Sequence, residues 1–134
     1  MNYGSFSLGS DRSKAHDRCA GRVKSHLKTI CTSAEKEMGL VPGTRTDAWG
    51  YNSKNKVLYL CEIKVQHKDL PKSVDQINDV VRRVKLTPEY IRLGEVFIVP
   101  VIAISNRLHK EEMDYYPGKW ESFCDLCKKL GIAI

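Results

Sequence analysis

The alternation of hydrophobic and polar positions divides the chain into five stretches. From Arg12 to about Met38, the residues Cys19, Val23, Leu27, Ile30, Cys31, Ala34 and Met38 recur at helical spacing and share one face. Asp11 or Ser13 is placed to cap this helix and Gly39 to end it, while the Gly/Ser-rich residues 1–11 are expected to be loose. Arg45 to Val65 differs in kind. Two apolar runs flank Asn52-Ser53-Lys54-Asn55-Lys56, which predicts a β-hairpin turning near Lys54-Asn55. Ser73 to about Leu86 returns to helical spacing, with Ser73 as N-cap and Ile77, Val80, Val81 and Val84 as the buried stripe. Glu95 to Ser105 is apolar on both alternating faces, as in a strand covered on both sides by helices, and Pro100 inside it marks a bulge or an edge. Pro117 to Leu130 carries Trp120, Phe123, Cys124, Cys127 and Leu130 on one side and predicts a last helix stopped by Gly131.

A short strand near Val41-Pro42-Gly43-Thr44 would lead into the hairpin. The order is then helix, three-stranded meander, helix, strand: an αβββαβ core of the α/β class, with a further C-terminal helix. The last strand is reached through a helical crossover, so it should run parallel to its neighbour and make the sheet mixed. At 134 residues the chain is long enough for one domain with a real core, spanning 1–134.

The hairpin also carries the chemistry. If its loop holds two or four residues centred on Lys54-Asn55, Asp47 stands directly opposite Glu62, where facing Cβ atoms lie about 4.5–5.5 Å apart. A three-residue turn would send the two side chains to opposite faces. Lys64, two residues beyond Glu62, returns to the same face. Two carboxylates on neighbouring strands suit Mg²⁺ or Mn²⁺, hard cations that take oxygen ligands and keep several waters. A lysine beside them can orient a water or offset developing negative charge. The plainer reading is a Glu62–Lys64 ion pair on one face, with Asp47 a turn-proximal surface residue.

Asp47, followed by Glu62-Ile63-Lys64 on the next strand, resembles the PD-(D/E)XK nuclease superfamily, the restriction-endonuclease-like fold, over roughly Ser13 to Ser105. The resemblance implies a mixed central sheet flanked by helices and Mg²⁺- or Mn²⁺-dependent hydrolysis of DNA that leaves a 5′-phosphate. It puts Asp47, Glu62 and the backbone carbonyl of Ile63 on the metal, and Lys64 on the attacking water. Members often add an acidic residue, sometimes a histidine, from the first helix. Asp17-Arg18 resembles the Glu-Arg pair found there, so Asp17 takes that role and His16 is read as a satisfied core histidine. Gln76 matches the glutamine of the following helix. Two positions depart from the pattern: Thr46 stands in place of the family's proline, and Val80 in place of the tyrosine of Q-x-x-x-Y. The alternative from another class is a catalytically silent nucleic-acid-binding or protein-interaction domain.

Composition narrows the setting. Hydrophobic content of 42% and charged content of 28% fit a folded soluble protein and exclude a disordered one. No apolar run reaches the roughly 18–20 residues of a membrane span. The N-terminus lacks the apolar segment of a signal peptide, and five scattered cysteines read as reduced thiols, so an intracellular, cytoplasmic setting is expected. Cys124-x-x-Cys127 lacks the second closely spaced pair that a structural zinc requires and reads as core. Net charge of +6 favours a polyanionic partner, and the family resemblance implies DNA rather than RNA. Arg18 and Arg22 on the basic edge of the first helix, and His67, Lys68 and Lys72 in the polar loop after the hairpin, are the expected contacts. Cutting both strands would favour a homodimer.

Overall fold

The computed structural model describes residues 3–36 and 46–134. Its elements are α1 (Tyr3–Ile30), β1 (Ser33–Lys36), β2 (Ala48–Asn52), β3 (Val57–Lys64), a 3-10 helix (His67–Lys72), α2 (Ser73–Lys85), α3 (Pro88–Leu93), β4 (Phe97–Ile104), α4 (Asn106–Tyr115) and α5 (Pro117–Lys129). One sheet runs in the order β1-β2-β3-β4, its first two pairings antiparallel and the last parallel. The protein is therefore an α/β fold with a mixed sheet, as the pattern predicts.

The hairpin register follows from its turn. Asn52 pairs with Val57 and leaves a four-residue loop, in which the Asn52 side chain accepts the Lys54 amide at 3.0 Å and Lys56 adopts a left-handed φ of 56°. Asx geometry of this kind is what Asn contributes to turns. The two faces of the sheet then separate cleanly. Leu58 and Leu60 of β3, with Trp49 and Tyr51 of β2 and Ile98, Ile102 and Ile104 of β4, meet Val74, Ile77, Val80 and Val84 of α2. Phe123 and Cys127 of α5, and Ile132 after it, join the same core. On the other face Ala48, Cys61 and Tyr59 meet Val23, Leu27 and Cys31 of α1. Gly50 is required there: a Cβ on it would lie 2.9 Å from the Cys31 sulfur and 3.1 Å from the Leu27 Cβ.

Several boundaries differ from the sequence reading, each for a local reason. The first helix begins at Tyr3, inside the stretch expected to be loose, and ends at Ile30 instead of Met38. The Asn52 side chain donates to the Ile30 carbonyl at 2.9 Å, and Thr32 donates through both its amide and its hydroxyl to the Tyr51 carbonyl, so tertiary bonds stop the helix. Ala34 keeps its burial, but on β1. The strand expected near Val41 to Thr44, and the stop at Gly39, lie outside the described residues. The loop after the hairpin is a 3-10 helix, and Ser73 is the first residue of α2, its hydroxyl donating to the Leu70 carbonyl at 2.6 Å rather than capping the helix.

Pro100 does mark an edge. β4 is the outermost strand, and its free side receives Ala133, whose amide donates to the Pro100 carbonyl and whose carbonyl accepts from Ile102, both at 2.9 Å. The expectation of helices on both faces of β4 holds fully on the α2 side; on the other, α1 covers the strand only in part, with Val101 packed against its cluster. Val101 and Ala103 border a groove beside α1. Of the paired tail cysteines, Cys127 is fully buried and Cys124 only half-buried.

Candidate functional site

Continuing the β2–β3 register one residue beyond Ala48–Cys61 sets Asp47 opposite Glu62. The two carboxyls are hydrogen-bonded to each other. Asp47 is fixed from two further directions: its Oδ2 accepts the Ile63 amide at 2.8 Å and lies 3.4 Å from His16 Nε2 on α1. Thr46, the residue in place of a proline, is 2% exposed and donates its hydroxyl to the Cys61 carbonyl at 2.9 Å, anchoring the chain just before Asp47.

Lys64 is 9% exposed. Its ammonium donates to the Gln76 amide oxygen on the first turns of α2, in a tight contact, and among the described residues it forms no ion pair with Glu62. The simple Glu62–Lys64 ion pair is therefore not what the strand builds. A buried ammonium resting on a neutral amide, close to two carboxyls, keeps its charge available to a further group.

Electrostatics set the two carboxyls apart. Burial, and next the negative charge of Asp47, push Glu62 up to about 8. Burial also opposes ionisation of Asp47, but the hydrogen bonds from His16, the Ile63 amide and Glu62 outweigh it and hold Asp47 below the usual carboxylate range. At neutral pH the pair thus holds one proton between its two carboxyls.

His16, read from the sequence as a core histidine, is the α1 residue that meets this pair, and Asp17 is exposed to solvent. The position is set by the helix: one residue is about 100° of rotation, so neighbours cannot both face the hairpin. Of the remaining candidates, Arg18 and Arg22 are exposed along one side of α1, and Lys68 and Lys72 are exposed on the 3-10 helix. His67 is engaged elsewhere. Its Nδ1 bonds to Glu112, a fully buried carboxyl of α4, and its ring stacks on Tyr116 at 4.4 Å with an interplanar angle of 9°. That correction was not legible, because 45 residues separate His67 from Glu112 and α4 carried no expected role. The basic end of α2 is likewise occupied, with Arg82 and Arg83 on Asp79 at 2.6 and 2.9 Å.

The donor set at Asp47 and Glu62 is all oxygen. Two half-buried carboxyls sharing a proton form a place where positive charge is stabilised from both sides, which fits a hard divalent cation. Among the described residues no group of three or more His, Cys, Asp or Glu side chains converges on an ion position. Two carboxylates are within the one or two that Mg²⁺ uses. The cysteines offer no rival chemistry: all five are free thiols, and burial first of all pushes Cys61 up to about 12 and Cys127 up to about 11. No helix is long and apolar enough to cross a membrane among the described residues. No protein-family model, no curated protein and no solved structure matches this chain.

Proposed function

We propose that the protein is a metal-dependent nuclease of the PD-(D/E)XK, restriction-endonuclease-like kind, hydrolysing phosphodiester bonds of DNA. The observation that carries this reading is the hydrogen-bonded Asp47–Glu62 pair, in register across the hairpin, with the buried Lys64 on the same face and paired to no carboxylate among the described residues. The order of α1, three strands, α2 and β4 supports the same reading.

Asp47 and Glu62 would hold Mg²⁺ or Mn²⁺, with the Ile63 carbonyl as a third oxygen. When bound, such an ion lowers the pKa of a coordinated water and neutralises charge on the scissile phosphate. Asp47 is pre-aligned for this by the Ile63 amide and by His16, the kind of supporting contact that fixes a ligand's orientation. Lys64 presents a fixed positive charge where the phosphate gains negative charge, and Gln76 fixes the ammonium by accepting one of its protons. Hydrolysis joins the water oxygen to phosphorus as the bond to the 3′ oxygen breaks, leaving a 5′-phosphate and a 3′-hydroxyl.

Cation binding at the pair is tested by the Mn²⁺ dependence of the melting temperature in wild type and in Asp47→Asn. A ligand that binds only the native state raises its stability by mass action, about 2.7 kcal/mol at one hundred times its Kd. Wild type should be stabilised and Asp47→Asn should not. Equal shifts in both proteins would move the metal elsewhere.

A further inference from the structure

The partly covered face of β4 is part of a groove of about 1080 Å³ between α1 and the β3–β4 side of the sheet. One bank is the row Arg18, Arg22 and His26, spaced four residues apart on α1 and all exposed. Neither Arg18 nor Arg22 forms an ion pair among the described residues. The other bank is the start of α4, where Arg107 is held by Glu111 at 3.1 Å, the one carboxylate side chain among the described residues that line the groove. The floor is apolar: Tyr59, Val101 and Ala103 lie on the face away from α2 and are half-buried, Tyr59 and Val101 packing against the α1 cluster while still lining the groove. One end is lined by Ala15, Val65 and Gln66, chain neighbours of His16 and Lys64, so the groove runs out at the end of the sheet that carries the candidate site, although Glu62 and Lys64 themselves share the α2 face with Leu58 and Leu60.

We infer that this groove holds a single strand of polynucleotide, its phosphates along the Arg18–Arg22 bank and its unpaired bases against the Tyr59–Val101–Ala103 floor. The inference rests on the nuclease reading of the carboxyl pair at the same end of the sheet, which a strand leaving the groove past Val65 and Gln66 would have to reach, and names its substrate class. Three features select the occupant. A bank with two exposed arginines that form no ion pair among the described residues calls for a polyanion. A recessed apolar and aromatic floor suits the faces of unstacked bases, which a duplex keeps inside its stack. The groove is open and elongated, with Ala15 to Ile30 on its α1 side spanning several helical turns, so a chain of nucleotides fits better than one.

Binding can be read without cleavage, in EDTA, by fluorescence anisotropy of a labelled 20-nucleotide single strand and of its duplex. Wild type should bind the single strand more tightly. Arg18→Glu/Arg22→Glu should weaken it at least tenfold and lower the slope of log affinity against log salt by about 1.4, at roughly 0.7 per lost phosphate contact. Lys128→Glu/Lys129→Glu on α5 makes the same change in net charge away from the groove and should have a smaller effect. In the unmutated protein the single strand should also slow maleimide labelling of Cys19, which lines the groove, and leave Cys124 on α5 unaffected. Preference for duplex, equal losses in the two charge-reversed proteins, or unprotected Cys19 would each overturn the inference. Cleavage assays separate this from the parent reading. Cleavage of duplex with no single-strand binding refutes the groove alone, whereas groove binding without cleavage under any metal refutes the nuclease alone.

Discussion

At the scale of single residues, the shared proton of Asp47 and Glu62 makes a prediction about metal-free protein. Glu62 titrates near 8 when folded, against an ordinary value of 4.5. Between those values the folded state retains a proton that the unfolded chain has released. The contribution of Glu62 to stability is therefore fully present below about pH 4.5 and is lost as pH rises through about 8. Asp47 acts in the opposite sense, and only at acid pH, because its folded pKa is lowered. In EDTA, the melting temperature of wild type should fall from pH 5 to pH 9 by more than that of Glu62→Gln, which keeps a donor to Asp47 but cannot ionise. Parallel melting curves for the two proteins would show that Glu62 is not the titrating group. A divalent cation must displace the same proton, so its affinity should rise over this interval and level off above pH 8.

At the scale of elements, the hairpin was the most legible part of the chain because its information is local. The turn residues sit between two apolar runs, and the period of two carries Asp47, Glu62 and Lys64 to one face. The end of α1 was not legible. Ile30, Cys31, Ala34 and Met38 continue a helical spacing, and the bonds that interrupt it come from Tyr51 and Asn52, about twenty residues later. His16 was missed for a related reason, since a stripe position says which face is inward but not which strand end lies beneath it. The β4 groove was hidden too, because an apolar strand face reads the same whether a helix or a ligand covers it. Two substitutions test these contacts. Asn52→Ala removes both the bond to the Ile30 carbonyl and the one from the Lys54 amide and should cost about 1–3 kcal/mol by urea unfolding. Gly50→Ala forces a methyl against Cys31 and Leu27 and should cost about 1–3 kcal/mol. Adding Cys31→Ala should recover part of that loss; additive effects would mean the two positions do not press on each other.

At the scale of the whole molecule, the proposed activity divides between two regions with different physical origins. Cation binding and charge stabilisation belong to the hairpin, while polynucleotide affinity belongs to dispersed arginines along α1 and α4. The parts should fail independently. Removing the metal should abolish cleavage and leave binding, and raising salt should weaken binding steeply with little effect on metal affinity. The most direct test of the central claim is the rate of DNA cleavage by wild type, Lys64→Ala and Asp47→Ala, measured side by side with Mg²⁺, Mn²⁺ and EDTA and paired with metal titrations. Cleavage by wild type should require the metal. Lys64→Ala should keep metal binding and lose about 10²–10³ in rate, and Asp47→Ala should lose metal affinity and activity together. Cleavage undiminished in both variants, or wild type inert toward single-stranded and duplex DNA with either metal, would contradict the account.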